Sequence, residues 1–116
     1  MTMLSLRDDE GDKPSETPPS PLAKVAENLF KARTIILFGE ITQKLAQSTV
    51  AQLLALAQEN SEPIQLIINS QGGHVESGDT IHDIVRFIRS PVRMIGTGWV
   101  ASAGVHIFLA APRENR

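Results

Sequence analysis

The residue in this sequence that is best placed to do chemistry is Ser102. It follows an apolar run that ends in glycines, and the small residues Ala101, Ala103 and Gly104 surround it. This spacing predicts a serine between a strand and a helix, where free N–H groups of the first helical turn can stabilise a negatively charged oxygen. Such a serine can attack a carbonyl carbon. A helix-capping serine has the same spacing, so both interpretations stay open at this point.

A second glycine-bearing segment, residues 69–73, follows another apolar run and contains the pair Gly72 and Gly73. Because glycine lets the backbone approach a substrate closely, this pair could supply a second N–H to the same oxygen. An ordinary tight turn is the alternative interpretation.

Residues 96–101 fit the G-x-G-x-x-A dinucleotide fingerprint. The match lies in the last third of the chain, whereas the fingerprint normally opens its domain. Glu114 is the one candidate for the acidic residue that binds the ribose, and its spacing is imperfect. The pattern therefore disfavours a nucleotide site.

A serine nucleophile needs a base, and three histidines are present. His106 is one turn after Ser102 on the same apolar helix, which is the wrong place for a base. His74 adjoins the glycine pair and could reach the serine. None of the three histidines is a convincing partner, so the residues alone leave the site without its base.

No metal or cofactor site is predicted. Cysteine is absent, which excludes thiolate ligands and disulfides. His82 has Asp79 and Asp83 nearby at a spacing that suits a metal, but a solvated helix face explains this pattern better.

Alternating elements position these residues. Strand-helix alternation predicts an α/β fold with a parallel sheet and right-handed crossovers. Ligands bind at the carboxyl ends of the strands in such sheets, and both glycine segments, 69–73 and 96–98, follow predicted strands. The predicted elements are strands over 34–38, 64–68 and 92–95, and helices over 22–30, over 42–59, around 81–88 and from about 101 to 111.

Length and composition exclude several classes of protein. The chain has 116 residues, enough for one domain, and its net charge of -2 argues against a nucleic-acid binder. No apolar run approaches the roughly 18–20 residues of a membrane-spanning helix. Prolines and acidic residues crowd the start, which predicts a disordered tail over 1–21 and a single folded unit over 22–116. No secretory signal is visible, so we expect a cytoplasmic protein that binds neither membrane nor nucleic acid.

Three blocks of the sequence resemble the proteolytic subunit of Clp protease (ClpP), a self-compartmentalised serine peptidase. They read FGEI at 38–41, IINSQGG at 67–73 and GWVASAG at 98–104. Their order and spacing also agree with that family. The resemblance implies a ClpP/crotonase-like α/β fold, with a parallel sheet built from repeated β-α units.

The resemblance also implies roles for individual residues. Ser102 would be the nucleophile of a Ser-His-Asp triad, and the backbone N–H groups of Gly73 and Ala103 would form the oxyanion hole. Gly72 and Gln71 would line the substrate cleft.

The resemblance further implies an assembly and a set of partners. Unfolded proteins or peptides would be cleaved through an acyl-enzyme inside a homo-oligomeric chamber of stacked heptameric rings. An AAA+ unfoldase would feed the chamber and use ATP, while the subunit itself would bind no ATP and no metal.

Several positions depart from the family pattern. Gln71 stands where proline is usual, while Trp99, Val100 and Ala103 replace Gln, Ala and Met. His106 lies in a helix that is normally apolar. These changes alter the substrate cleft but retain the backbone donors.

In the family, the triad histidine lies on a strand after the serine, and the aspartate lies further still. The resemblance therefore predicts the N-terminal part of a longer subunit, truncated before that strand and before the handle helix that joins the rings. No residue here is assigned as the triad histidine or aspartate, and we expect the chain to be nearly inactive alone. The alternative is a non-catalytic or regulatory ring subunit.

Two related families fit less well. Acyl-CoA enzymes of the crotonase type would need a CoA site, for which the sequence has no feature. Signal-peptide peptidases use a serine–lysine dyad, but Lys24, Lys31 and Lys44 lie far before Ser102.

Overall fold

A parallel sheet with helices between its strands organises the chain. The computed structural model describes residues 20–116, and within them the strand order is β1-β2-β3 with both pairings parallel. This confirms the predicted α/β class. The elements are α1 (Pro21–Lys31), β1 (Thr34–Phe38), α2 (Gln43–Glu59), β2 (Ile64–Ser70), α3 (Val75–Phe87), β3 (Val92–Val100), α4 (Ala103–Phe108) and a 3-10 helix (Arg113–Asn115).

Most of the predicted tail, residues 1–19, lies outside the described residues. Its last two residues, Ser20 and Pro21, belong to α1: the Ser20 hydroxyl oxygen accepts the Ala23 N–H at 3.1 Å, and Pro21 is the first helical residue. Proline suits this position because it has no N–H to lose and its φ is already helical. The helix therefore begins at the proline rather than after it.

The core lies between one face of the sheet and helices α2, α3 and α4. Burial alternates along β1 and β2 because successive side chains of a strand point to opposite faces. Leu66 and Ile68 of the central strand are fully buried, whereas Ile36 and Phe38 on the opposite face of the sheet are about half exposed. One apolar cluster thus ties the three helices to the sheet.

Strand β3 continues beyond the end predicted from the sequence. Ile68 pairs with Gly96 and Ser70 pairs with Val100, so the register shifts between them and β3 bulges. Glycine usually marks the end of a strand, but here Gly98 has φ +67°, and an added Cβ would lie 2.7 Å from the Asn69 Nδ2 atom. Residues 96–98 are therefore a bulge within a strand and not the predicted loop, and the dinucleotide fingerprint lacks its strand–turn–helix context.

Every helix within residues 20–116 is too short or too polar to span a bilayer.

Candidate active site

Ser102 occupies a strained turn between β3 and α4. Its φ of 54° and ψ of -124° are normally left to glycine. Its side chain is exposed and makes no capping hydrogen bond to α4, while its carbonyl accepts the N–H groups of Val105 at 2.9 Å and His106 at 3.3 Å. The hydroxyl therefore does not cap the helix. A strained serine on a strand–turn–helix with a free hydroxyl is the geometry of a nucleophile elbow.

Gly72 packs directly against Ser102. An added Cβ at Gly72 would lie 2.7 Å from the Ser102 Cβ and 3.1 Å from its Oγ, and the φ of Gly72 is +110°. The Gly72 N–H donates to the Ser70 Oγ at 3.0 Å, and its carbonyl accepts the Ile41 N–H at 2.9 Å. Glycine is required here because the backbone approaches the serine side chain so closely.

Two backbone N–H groups beside this contact are free. Gly73 follows Gly72 directly, and Ala103 follows Ser102 as the first residue of α4. Neither N–H donates to an acceptor within residues 20–116. First-turn N–H groups have no partner inside their helix, which makes Ala103 available to a ligand. One donor therefore belongs to the glycine segment 69–73, and the other belongs to the residue that follows Ser102.

Ile41 supports the glycine pair from a third segment. It forms an isolated parallel bridge with Gly73, and its carbonyl accepts the His74 N–H at 2.8 Å. An added Cβ at Gly73, whose φ is +148°, would overlap the Ile41 carbonyl oxygen and lie 2.8 Å from the Ile41 nitrogen. The sequence analysis included Ile41 only as the last residue of the FGEI block. Its bridge to Gly73 is seen only in the tertiary structure.

Ser70 connects the segment that contains Gly72 to the segment that contains Ser102. The sequence analysis did not predict this role. It ends β2 and is fully buried. Its Oγ accepts the Gly72 N–H at 3.0 Å, and its carbonyl accepts the Ala101 N–H at 3.0 Å. A buried serine at the end of an apolar strand was the available signal, because a buried hydroxyl needs a partner.

We expect Ser70→Ala to lower the free energy of unfolding by about 1–3 kcal/mol, because the buried Gly72 N–H loses its partner. Urea denaturation followed by circular dichroism measures this. Ser61→Ala is the matched control, since Ser61 is exposed and forms no side-chain hydrogen bond within the described residues. Equal urea midpoints for the two variants would show that the Ser70 hydroxyl supports nothing.

The His74 side chain is not positioned as a base for Ser102. It is the N-cap of α3, where its Nδ1 lies 2.7 Å from the Ser77 Oγ and accepts the Ser77 N–H at 3.3 Å. Within residues 20–116, no histidine side chain forms a hydrogen bond with the Ser102 hydroxyl.

The other two histidines pair with each other. The rings of His82 and His106 stack with centroids 4.2 Å apart. The His106 Nε2 lies 3.0 Å from an Asp79 carboxylate oxygen, and the His82 Nδ1 lies 3.2 Å from an Asp83 carboxylate oxygen. No group of three or more metal-ligating side chains is arranged to hold an ion in the described part of the chain.

The family model for Clp protease matches residues 20–116. The chain belongs to the Clp protease family. This confirms the resemblance carried by the three sequence blocks.

The chain matches part of the length of its relatives in the Clp protease family. It is 55% identical over 112 residues to ATP-dependent Clp protease proteolytic subunit 3 of Rhizobium etli, which covers 96% of this chain and 57% of that protein. It is 57% identical over 91 residues to the ATP-dependent Clp protease proteolytic subunit of Paracoccus denitrificans, covering 78% of this chain and 46% of the relative. The chain thus spans about half the length of the curated relatives it matches.

A solved Clp protease structure confirms the ClpP-like fold. ClpP1 from Listeria monocytogenes superposes with a TM-score of 0.77 and is 53% identical, over 79% of this chain and 54% of that one.

Two of the residues that the sequence analysis expected to depart from the family pattern are exposed. Gln71, between buried Ser70 and buried Gly72, is exposed. Trp99, three residues before the serine, is 63% exposed. Both side chains are therefore accessible beside the elbow without displacing its backbone donors.

Proposed function

We propose that this chain is the part of an ATP-dependent Clp protease proteolytic subunit that carries the nucleophile, and that Ser102 attacks peptide carbonyls of unfolded protein substrates. The observation that carries this proposal is the strained, uncapped Ser102 lying against Gly72. A serine held in an unfavourable φ, with its hydroxyl exposed, is explained by catalysis and not by helix capping.

The chemistry is serine acyl transfer. The Ser102 Oγ bonds to the carbonyl carbon while a base takes the hydroxyl proton, and the carbonyl oxygen gains the negative charge. The N–H groups of Gly73 and Ala103 donate to that oxygen. Collapse breaks the C–N bond, the amine leaves with the proton, and water then hydrolyses the acyl-enzyme by the same steps.

The base and its orienting carboxylate belong, in this proposal, to the part of a full-length subunit that this chain does not match. Its support is that no histidine side chain of residues 20–116 bonds to the Ser102 hydroxyl, and that the match to this chain covers 57% of the Rhizobium etli relative. Without the base, only oxyanion and binding effects remain, worth roughly 10³–10⁴ over water. The chain alone is therefore nearly inactive.

The proposal includes the assembly of the family: homo-oligomeric stacked heptameric rings, in the cytoplasm, served by an AAA+ unfoldase. ATP is used by the unfoldase, and the subunit needs no cofactor or metal of its own. The relatives' name, ATP-dependent proteolytic subunit, supports this division of labour.

Labelling with a fluorescent fluorophosphonate tests the function. We compare the isolated chain with a joined subunit, in which residues 1–116 are fused to the remaining part of the Rhizobium etli relative. We expect the joined subunit to label at least about 100-fold faster than the isolated chain, because only a complete triad activates the serine. Ser102→Ala removes the labelling and Ser61→Ala, the control, retains it.

Rapid labelling of the isolated chain that Ser102→Ala abolishes would contradict the placement of the base outside this chain. His74→Ala then tests the nearest alternative base.

A non-catalytic or regulatory ring subunit is the second candidate. It is favoured by the observation that no histidine side chain of residues 20–116 forms a hydrogen bond with the Ser102 hydroxyl. A joined subunit that enters rings, measured by native mass spectrometry, but does not label would support it.

A further inference from the structure

A polar cluster ties α4 to α3 one turn after the elbow. His106 of α4 stacks on His82 of α3, with the ring centroids 4.2 Å apart and the ring planes 7° from parallel. The His106 Nε2 lies 3.0 Å from the Asp79 Oδ1. We call Asp79, His82 and His106 the histidine clamp.

The two helices lie in close contact just before the clamp. An added Cβ at Gly78 would lie 3.2 Å from the Ala103 Cβ, so the backbone of α3 lies against the first residue of α4. The small residues allow this approach, and the clamp lies one turn further along both helices.

Helix α4 cannot hold its own orientation. It has six residues, and isolated helices shorter than about 12–15 residues are marginal in water. Its direction therefore depends on tertiary contacts, and the clamp provides a polar contact toward α3.

His106 also connects the clamp to the elbow. Its backbone N–H donates to the Ser102 carbonyl at 3.3 Å, beside the bond from Val105 at 2.9 Å. The same residue therefore holds α3 with its side chain and the strained serine with its backbone. A rotation of α4 would move the Ser102 φ and the Ala103 N–H together.

We propose that Asp79, His82 and His106 are positioning residues that fix the Ser102 elbow by clamping α4 onto α3. The inference rests on the proposed function for what the elbow does, but its geometry can be tested without catalysis. The stack and the contact with Asp79 both hold the His106 ring against α3.

Amide hydrogen exchange in the full 116-residue chain provides the first test. The Val105 N–H reports the elbow because it donates to the Ser102 carbonyl, and the Leu66 N–H of the central strand reports the whole fold. We expect His106→Ala to speed Val105 exchange about tenfold, because both the stack and the contact with Asp79 are lost. Asp79→Ala should speed it about threefold, since both side chains of that contact are about half exposed.

Conservative and control variants separate the two contacts. His106→Phe keeps a flat ring for His82 and should restore part of the protection, and Asp79→Asn keeps an oxygen acceptor and should restore most of it. Asp83→Ala is the matched control, because Asp83 lies on the same helix and contacts His82 but not His106. It should leave the Val105 exchange rate unchanged.

Unchanged Val105 exchange in His106→Ala would overturn the proposal. An equal increase at Val105 and Leu66 would also overturn it, because the residue would then support the whole fold and not the elbow.

The joined subunit supplies a second, independent readout. We expect His106→Ala to lower kcat for a fluorogenic peptide severalfold with KM unchanged. A joined subunit that is inactive before any substitution would contradict the proposed function and leave the exchange result standing as the test of the clamp.

Discussion

We expect Gly73→Ala to lower the rate of fluorophosphonate labelling of Ser102 in the joined subunit about 10²–10³-fold, and to lower the free energy of unfolding by about 3–5 kcal/mol. The new Cβ would overlap the Ile41 carbonyl oxygen and lie 2.8 Å from the Ile41 nitrogen, and both are backbone atoms. Relief therefore requires the loop to move. The bridge between Ile41 and Gly73 and the bond from the His74 N–H would be lost with it.

The loss of reactivity follows from the same movement. If the Gly73 N–H is an oxyanion donor, its displacement costs about 10²–10³ in rate, the usual effect of losing one such donor. The serine and its own N–H neighbour, Ala103, remain in place.

Gly39→Ala is the matched control for this substitution. Gly39 also has a positive φ, +91°, but an added Cβ there would meet nothing within 4 Å. It carries the conformational penalty, about 1–2 kcal/mol, without the overlap. Urea denaturation and the labelling rate of both variants separate the two effects, and equal results for the two glycines would show that the contact with Ile41 is unimportant.

We expect Arg33→Ala to destabilise the chain by about 3 kcal/mol, the second large effect, because a nearly buried guanidinium loses several carbonyl partners. The Arg33 side chain is 11% exposed, and Arg33 directly precedes β1. Its guanidinium donates to the carbonyls of Leu56, Asn60, Glu62 and Pro63 and to the Ser90 hydroxyl, at 2.9–3.3 Å.

These bonds join three separate segments at the end of the sheet opposite the elbow. They connect the start of β1 to the end of α2, to the turn before β2 and to the turn before β3. Removing the guanidinium leaves several carbonyls at this end without their donor, and the effect on the elbow is expected to be small.

The Arg33→Lys variant separates the contribution of the positive charge to stability from that of the guanidinium geometry. We expect Arg33→Lys to recover less than half of the lost stability, since an ammonium cannot reproduce the planar fork. Arg89→Ala is the control, because Arg89 is exposed and forms no hydrogen bond or ion pair within residues 20–116. Thermal and urea unfolding measure all three variants, and an Arg33→Ala midpoint equal to that of Arg89→Ala would contradict this role.

The sequence was enough to predict a site at Ser102, Gly72 and Gly73, because small residues after an apolar run form a local signal. It was enough for the α/β class as well, since apolar runs and helical stripes alternate along the chain. These signals depend on neighbours in sequence, which is what a sequence shows directly.

Element ends were harder to predict. Gly96 and Gly98 suggest the end of a strand, yet β3 passes through them because a bulge lets it stay paired with β2. The bulge is decided by the partner strand and by the approach of Asn69, neither of which is visible in the local residues.

What the sequence by itself determined was therefore the class of fold, together with the prediction that Ser102 and the pair Gly72 and Gly73 share a site. Only the tertiary structure decided that the Ser102 hydroxyl does not cap its helix and that Ile41 and Ser70 hold the glycine pair. It also decided that the His74 side chain caps α3. The physical reason is that these contacts join residues far apart in the chain. Their partners are chosen when the strands and helices pack, and no local spacing records that choice.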